Sequence, residues 1–474
     1  MNTDRQTLDR ALTAWNSLAA FRARRRRAID FSFGRQWGDM VRLPSGRTVS
    51  EERQLLESGR VPITNNLIRQ LVKSIVGRWR YLRATPGGEE GEATPAASAP
   101  VSPLEETDAR TLEEFLISGC AAQRVGGDGV QAPGAVAVSP ARLFFSRFER
   151  PDASDCRFLG MLHDMAPARV ATLFGRGDPR RTAAIAEAYS PARGRPADSG
   201  AAPLAQGEAG FDWPSTPGAW RVIEVWSLDA LPMLGCHDPE RGEYVEAPLL
   251  PAAEEALEAL NARRRREGRR EVGWRATVAE RWSVTWLTPT GLVLARRRCP
   301  AGARPPLTLG LYPMVDGEAR GLVEDLIGQQ KYVNRLIMML DDVMRSAAKG
   351  VVLFPVDQLP EGMTWRDVRR LWSEPGAVLP FRRTSRNIMP YQMQTSGTQQ
   401  GAAEMLRVQL AMFDEISGSS SGTRGTASTT AAGAEMLRRE FEQATVSIYD
   451  LLASFRAFTS RRDNLLNTNA KTKL

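Results

Sequence analysis

Histidine-dependent chemistry has little to work with in this chain of 474 residues, because His163 and His237 are the only two histidines. A nucleophile–histidine pair or a histidine acid–base relay therefore has few candidates. Cys120, Cys156, Cys236 and Cys299 are scattered without C-x-x-C spacing, and Cys236-His237 lacks a second ligand pair, so neither zinc nor a disulfide framework is expected. No GxxxxGK[ST] loop, GxGxxG turn, HExxH helix or GxSxG elbow occurs. The acidic pairs Glu324-Asp325 and Asp341-Asp342 are the nearest thing to metal ligands for phosphodiester hydrolysis. Neighbouring side chains on a helix diverge by about 100°, so neither pair makes a two-metal site alone, and a solvated helix face is the plainer reading. No catalytic residue, metal or cofactor is expected. A metal-dependent DNA phosphodiesterase stands as the alternative.

More informative is the stretch around Ser419, Ser420, Ser421, Gly422, Thr423, Arg424, Gly425 and Thr426, which holds small hydroxylated residues, glycines and a single charge. Such a segment can come close to a nucleic-acid backbone without reading bases. Its weak charge lets a duplex slide, where a dense arginine array would hold it. A surface loop without a ligand is the plainer reading of the segment alone. Formal charge is +8 and the isoelectric point about 9.6. Arginine runs at 24–27, 263–266 and 296–298 either meet phosphate or are solvated faces in which a GC-rich genome writes arginine where another would write lysine.

These residues need elements to hold them. From Gly317 to Gly350, Leu322, Leu326, Val333, Ile337, Leu340, Met344 and Ala347 recur at helical steps, opposite Gln330, Lys331, Asn334, Arg335 and Arg345. A helix of some thirty residues spans roughly 45 Å and suits a wall. A proline-punctuated α/β insert follows, then a helix over 401–416, the Ser/Gly loop over 417–433, and a helix from 434 to about 460 that ends in a polar, frayed tail. Upstream, the spacing predicts helices over 3–30, 66–80 and 107–124, and strands between 140 and 317 with helices near 166–188 and 251–266. The tryptophans at 213, 220, 226, 274, 282 and 286 read as sheet packing. Flexible loops are expected at about 87–104 and 190–218. The fold class is α+β. No secretory h-region and no transmembrane run is present, which predicts a cytoplasmic product with reduced thiols and no membrane partner.

FSFGRQW (31–37), RVPITNNLIRQLVKSIVGRWR (60–80), LEEFLISG (112–119) and YPMVDGEARGLVEDLIGQQKYVNRL (312–336) occur in the order found in podovirus-type phage portal proteins, and most of the chain resembles that family. The resemblance implies a portal fold: a mixed α/β wing over 1–317, stem helices over 318–348 and 401–416, a clip over 349–400, a tunnel loop over 417–433 and a long wing helix from 434. The crown is expected to be minimal or absent, because only a short tail follows residue 460. It implies a non-enzymatic ring of twelve copies at a capsid vertex, a conduit for packaging and ejecting double-stranded DNA without sequence preference. The implied partners are the terminase large subunit, the major capsid protein and head–tail adaptor or tail proteins, in the host cytoplasm during assembly and in the virion after it. The Ser419–Thr426 segment then faces DNA, Lys331, Asn334, Arg335 and Arg345 are candidate channel lining, and Trp365, Arg366, Arg369, Arg370, Arg382 and Arg383 are candidate docking residues of the clip. A DNA-binding scaffold or adaptor that forms no ring is the further alternative.

Overall fold

The computed structural model describes residues 3–84, 102–126, 134–190, 210–315, 317–349, 351–356, 359–373, 382, 391–393, 397–417 and 431–472. Most of each expected loop, at 87–104 and at 190–218, lies outside them, and the end of the first is helical from Pro103. The first expected helix is two helices, α1 (Arg5–Ser17) and α2 (Ala19–Ser32), broken at Leu18. Asp4 caps α1 by accepting from Thr7 N at 2.9 Å. The break lets the two serve different cores. Ala11, Ala14 and Trp15 of α1 pack on a sheet with Phe144, Ile223 and Leu287, whereas Ala28 and Phe31 of α2 join a helical core.

A hairpin of β1 (Met40–Arg42) and β2 (Thr48–Ser50) leads into α3 (Glu51–Glu57) and α4 (Leu67–Ala84). Helix α5 (Pro103–Ser118) starts at a Ser102 cap with proline in its first turn and stops at Gly119, whose φ of +73° is left-handed. That stop corrects the helix expected to residue 124, since Cys120–Val125 is strand β3, buried along most of its length. It is followed by β4 (Ala135–Ala137).

The region predicted as antiparallel sheet is one. Its strands are β5 (Leu143–Phe145), β6 (Phe158–Met165), β7 (Trp220–Asp238), β8 (Glu243–Pro248), β9 (Gly273–Leu287) and β10 (Val293–Arg298), in the order β10-β9-β7-β6-β5, with β8 on the outer half of β7. Helices α6 (Pro167–Gly175), α7 (Pro179–Ala188) and α8 (Pro251–Arg266) interrupt it, so the single helix expected near 166–188 is two. Strand β11 (Leu307–Leu311) makes a second sheet, β11-β3-β4. Cys120, Ala122, Leu309 and Leu311 of that sheet share a core with Leu143, Met161, Trp226 and Val284 of the first. Trp220 stacks on Tyr189 with ring centroids 4.4 Å apart and Trp226 is buried, whereas Trp213 and Trp274 are only partly covered, at 40% and 41% exposed.

After the short pair β12 (Met314–Val315) and β13 (Glu318–Ala319) comes α9 (Leu322–Lys349). Then follow β14 (Val351–Leu353), α10 (Trp365–Ser373) and β15 (Tyr391–Met393), with β14 and β15 paired antiparallel. Helix α11 (Gly397–Ser417) starts four residues before the expected 401 and packs along α9. Helix α12 (Ala431–Thr472) is 42 residues long, about 63 Å, and the tail expected to fray is its last turns. Phe455, Phe458, Thr459 and Arg462, all buried, anchor the helix immediately before that tail. Phe455 meets Trp79 edge-on and Phe115 at a tilt, so α4, α5, α9 and α12 converge on one helical core.

Candidate nucleic-acid interface

Helix α9 is fixed to the N-terminal helices by polar side chains rather than by its apolar stripe alone. Gln330 Oε1 accepts from Leu67 N at 3.0 Å and Ile68 N at 3.3 Å, satisfying the first amides of α4 as a capping residue does. Its Nε2 donates to Asn65 O at 2.6 Å. Asn334 Oδ1 accepts from Asn65 N at 3.1 Å, and its Nδ2 donates to Gln36 Oε1 at 2.6 Å. Gln36 in turn reaches Phe31 O and Asn66 Oδ1. Around this buried chain, Lys331 Nζ donates to Asp39 at 2.7 Å and Glu51 at 2.8 Å, and Arg335 reaches Glu51 at 3.0 Å. Burial pushes the Asp39 carboxyl up, but the hydrogen bonds from Arg27 and Lys331 and the charges of both outweigh it and hold the group below its usual range.

Two of the residues expected to line a channel are thereby reassigned. Asn334 is 1% exposed and Lys331 is covered and doubly paired, so they hold α9 to the N-terminal region. The polar face was read as solvated, and in the fold it is the docking face. Arg335 keeps 57% of its side chain exposed and remains available to an anion. Arg345 lies on α9, but its side chain is outside the described residues, as is the whole segment Ser419–Thr426. Trp365, Arg366 and Arg370 are exposed on α10. Trp365 meets Phe354 edge-on, and Arg382 pairs with Glu361 at 3.0 Å. The side chains of Arg369 and Arg383 are not among those described.

Helix α11 carries two apolar stripes. One, including Phe413, is buried in the helical core. The other, Met405, Val408, Met412 and Ile416, advances by three, four and four residues and is 40–45% exposed at every position. Tyr332 and Met339, seven residues apart on α9, are similarly exposed.

The arginine runs divide. Arg24, Arg25, Arg26 and Arg27 pair with Glu324, Glu114, Asp30 and Asp39. Arg263, Arg264 and Arg265 pair with Glu267, Asp238 and Glu271. These two runs are largely neutralised within the chain. The acidic pairs are likewise engaged, Glu324 with Arg24, Asp325 with Arg320 and Asp342 with Arg60. Among the described residues no three potential metal ligands converge, and no helix is long and apolar enough to cross a membrane.

Comparison with protein families matches residues 102–464 to the phage P22-like portal protein model. The chain belongs to that family. A search of curated proteins returns no match. The portal family is a structural one, and membership implies a homo-oligomeric ring at the capsid vertex of a virion, with capsid, terminase and tail contacts in general. Three of the stretches by which this portal chain resembles its family, 31–37, 60–80 and 312–336, meet in space, since Gln36, Asn65, Asn66, Gln330 and Asn334 form one network. Gln330 and Asn334 were visible in sequence as the polar face of α9, but their partnership with Gln36, Asn65 and Asn66 was not. The available signal was the amide-rich composition of three separated stretches, GRQW, TNNL and GQQKYVN, since isolated amides belong to surfaces and clustered ones to mutual satisfaction.

Proposed function

We propose that this chain is the subunit of a dodecameric ring that conducts double-stranded DNA into and out of a capsid, with α9 and α11 as its stem. The observation that carries the reading is the exposed stripe Met405, Val408, Met412 and Ile416. An apolar row of this length on a packed helix calls for another surface. In a cyclic ring that surface differs from the stripe itself, because head-to-tail contacts join unlike faces. The face bearing Tyr332 and Met339 on the next subunit's α9 supplies it.

In the same reading Ser419–Thr426, which joins α11 to α12, is the DNA-facing tunnel loop, and exposed Arg335 contributes cationic lining. Contacts of this kind orient a duplex without specifying sequence. The unit with β14, α10 and β15 is the clip, and exposed Trp365, Arg366 and Arg370 offer terminase and adaptor proteins an aromatic and cationic surface. Negative-stain microscopy of the purified chain tests the reading, with rings around a central channel expected. Strictly monomeric particles at high concentration overturn it.

A further inference from the structure

The third arginine run differs from the other two. Arg296 pairs with Asp4, but Arg297 and Arg298 form no ion pair with a carboxylate among the described residues. Strand β10 is an edge strand, and this run borders an open cleft of about 510 Å³ lined by Thr3, Asp4, Arg5, Gln6, Arg181, Val293 and Arg296. Three guanidinium groups, a hydroxyl and an amide thus face one carboxylate. Arg181 Nη2 donates to Leu294 O at 2.6 Å, which anchors the side chain, while its Nε is buried without an acceptor. Arg5 is exposed and forms no ion pair among the described residues. A buried donor left open costs stability unless an acceptor fills it, and a forked guanidinium matches the oxygens of phosphate.

We infer that this cleft is a phosphate-binding site, formed by α1, α7 and β10 and separate in its elements from the stem. Its ligand is a phosphate oxyanion, carried either by the backbone of duplex DNA or by a free compound such as pyrophosphate. Asp4 is engaged as the cap of α1 and by Arg296, so the remaining cations set the sign of the site. The inference does not depend on the ring.

The full-length chain is titrated with a short DNA duplex by fluorescence anisotropy and with pyrophosphate by calorimetry. Wild type is compared with Arg181→Ala and Arg5→Glu, the second exposed in the first turn of α1, where a carboxylate suits the helix dipole and circular dichroism checks the fold. Each variant is expected to weaken at least one probe by roughly tenfold or more, the loss of a charge-assisted hydrogen bond. A loss for duplex, with a salt slope smaller by about one, identifies a nucleic-acid backbone as the source. A loss for pyrophosphate alone identifies a free phosphate compound. Unchanged affinity for both probes in both variants, or duplex binding lost only in Arg335→Ala, overturns the inference.

Discussion

Arg462 is 1% exposed, and its charge is met by Asp108 Oδ1 at 2.7 Å, Gln123 Oε1 at 2.8 Å and Asp463 at 2.7 Å. Asp108 is itself fully buried and also receives Arg83 and Gln123. Removing one side of such a pair leaves a naked charge in the interior, so Arg462→Ala is expected to cost roughly 3–5 kcal/mol in urea unfolding. Replacing both by apolar residues, Asp108→Leu with Arg462→Met, should recover much of that. Glu224 makes a second buried cluster, receiving His163 Nε2 at 2.6 Å, Arg124 at 2.6 Å and Trp226 Nε1 at 2.7 Å. Burial pushes this carboxyl up, but the hydrogen bond from His163 and the charges of Arg124 and His163 outweigh it and hold the group at about 2, below its ordinary 4.5. A depressed carboxyl contributes stability that is present above about pH 4.5 and is lost as pH falls toward 2. The melting temperature of Glu224→Gln should therefore fall less steeply over that window than that of wild type, while lying lower at neutral pH.

Among the elements, α9 and the sheet strands were legible in sequence because periodicity reports burial on one face. Less legible was the burial of a polar face, as on α9, where Gln330 and Asn334 look solvated until Asn65 and Gln36 arrive from 265 and 298 residues away. The end of α5 was misplaced because the left-handed turn at Gly119 weighs more than the propensity of the residues after it. That turn has a tertiary reason. A Cβ at Gly119 would meet the Arg320 carbonyl, and one at Gly321 would overlap Ile117 O, so two backbones cross in contact where α9 begins. For α11, the exposed stripe gives a test at its own scale. Val408→Asp with Met412→Asp leaves the monomer's circular dichroism and melting temperature nearly unchanged, because both side chains are solvent-exposed, and removes the ring peak in light scattering.

At the scale of the molecule, the α+β class was readable from composition and pattern. The division of N-terminal and C-terminal helices was not, because it is set by which core each face meets, and that depends on contacts between residues far apart in sequence. The candidate site divides the same way. Arg335 stayed available, whereas Asn334 and Lys331 were claimed by the N-terminal region. If 417–433 forms the tunnel loop, deleting residues 419–430 leaves rings in micrographs and lowers the fraction of DNA packaged or retained. Loss of the rings themselves would assign the segment to packing instead.

Asp108 and Arg462 are 354 residues apart in the chain. At a synthesis rate of about 5–20 residues per second, a ribosome needs roughly 20–70 s to make the second after the first. Throughout that interval the carboxylate has no buried guanidinium to meet, and the helical core around Phe115 lacks Phe455 and Phe458. The nascent chain therefore cannot close this core until Arg462 has been made, so the helices that precede it wait for α12 with an open apolar face.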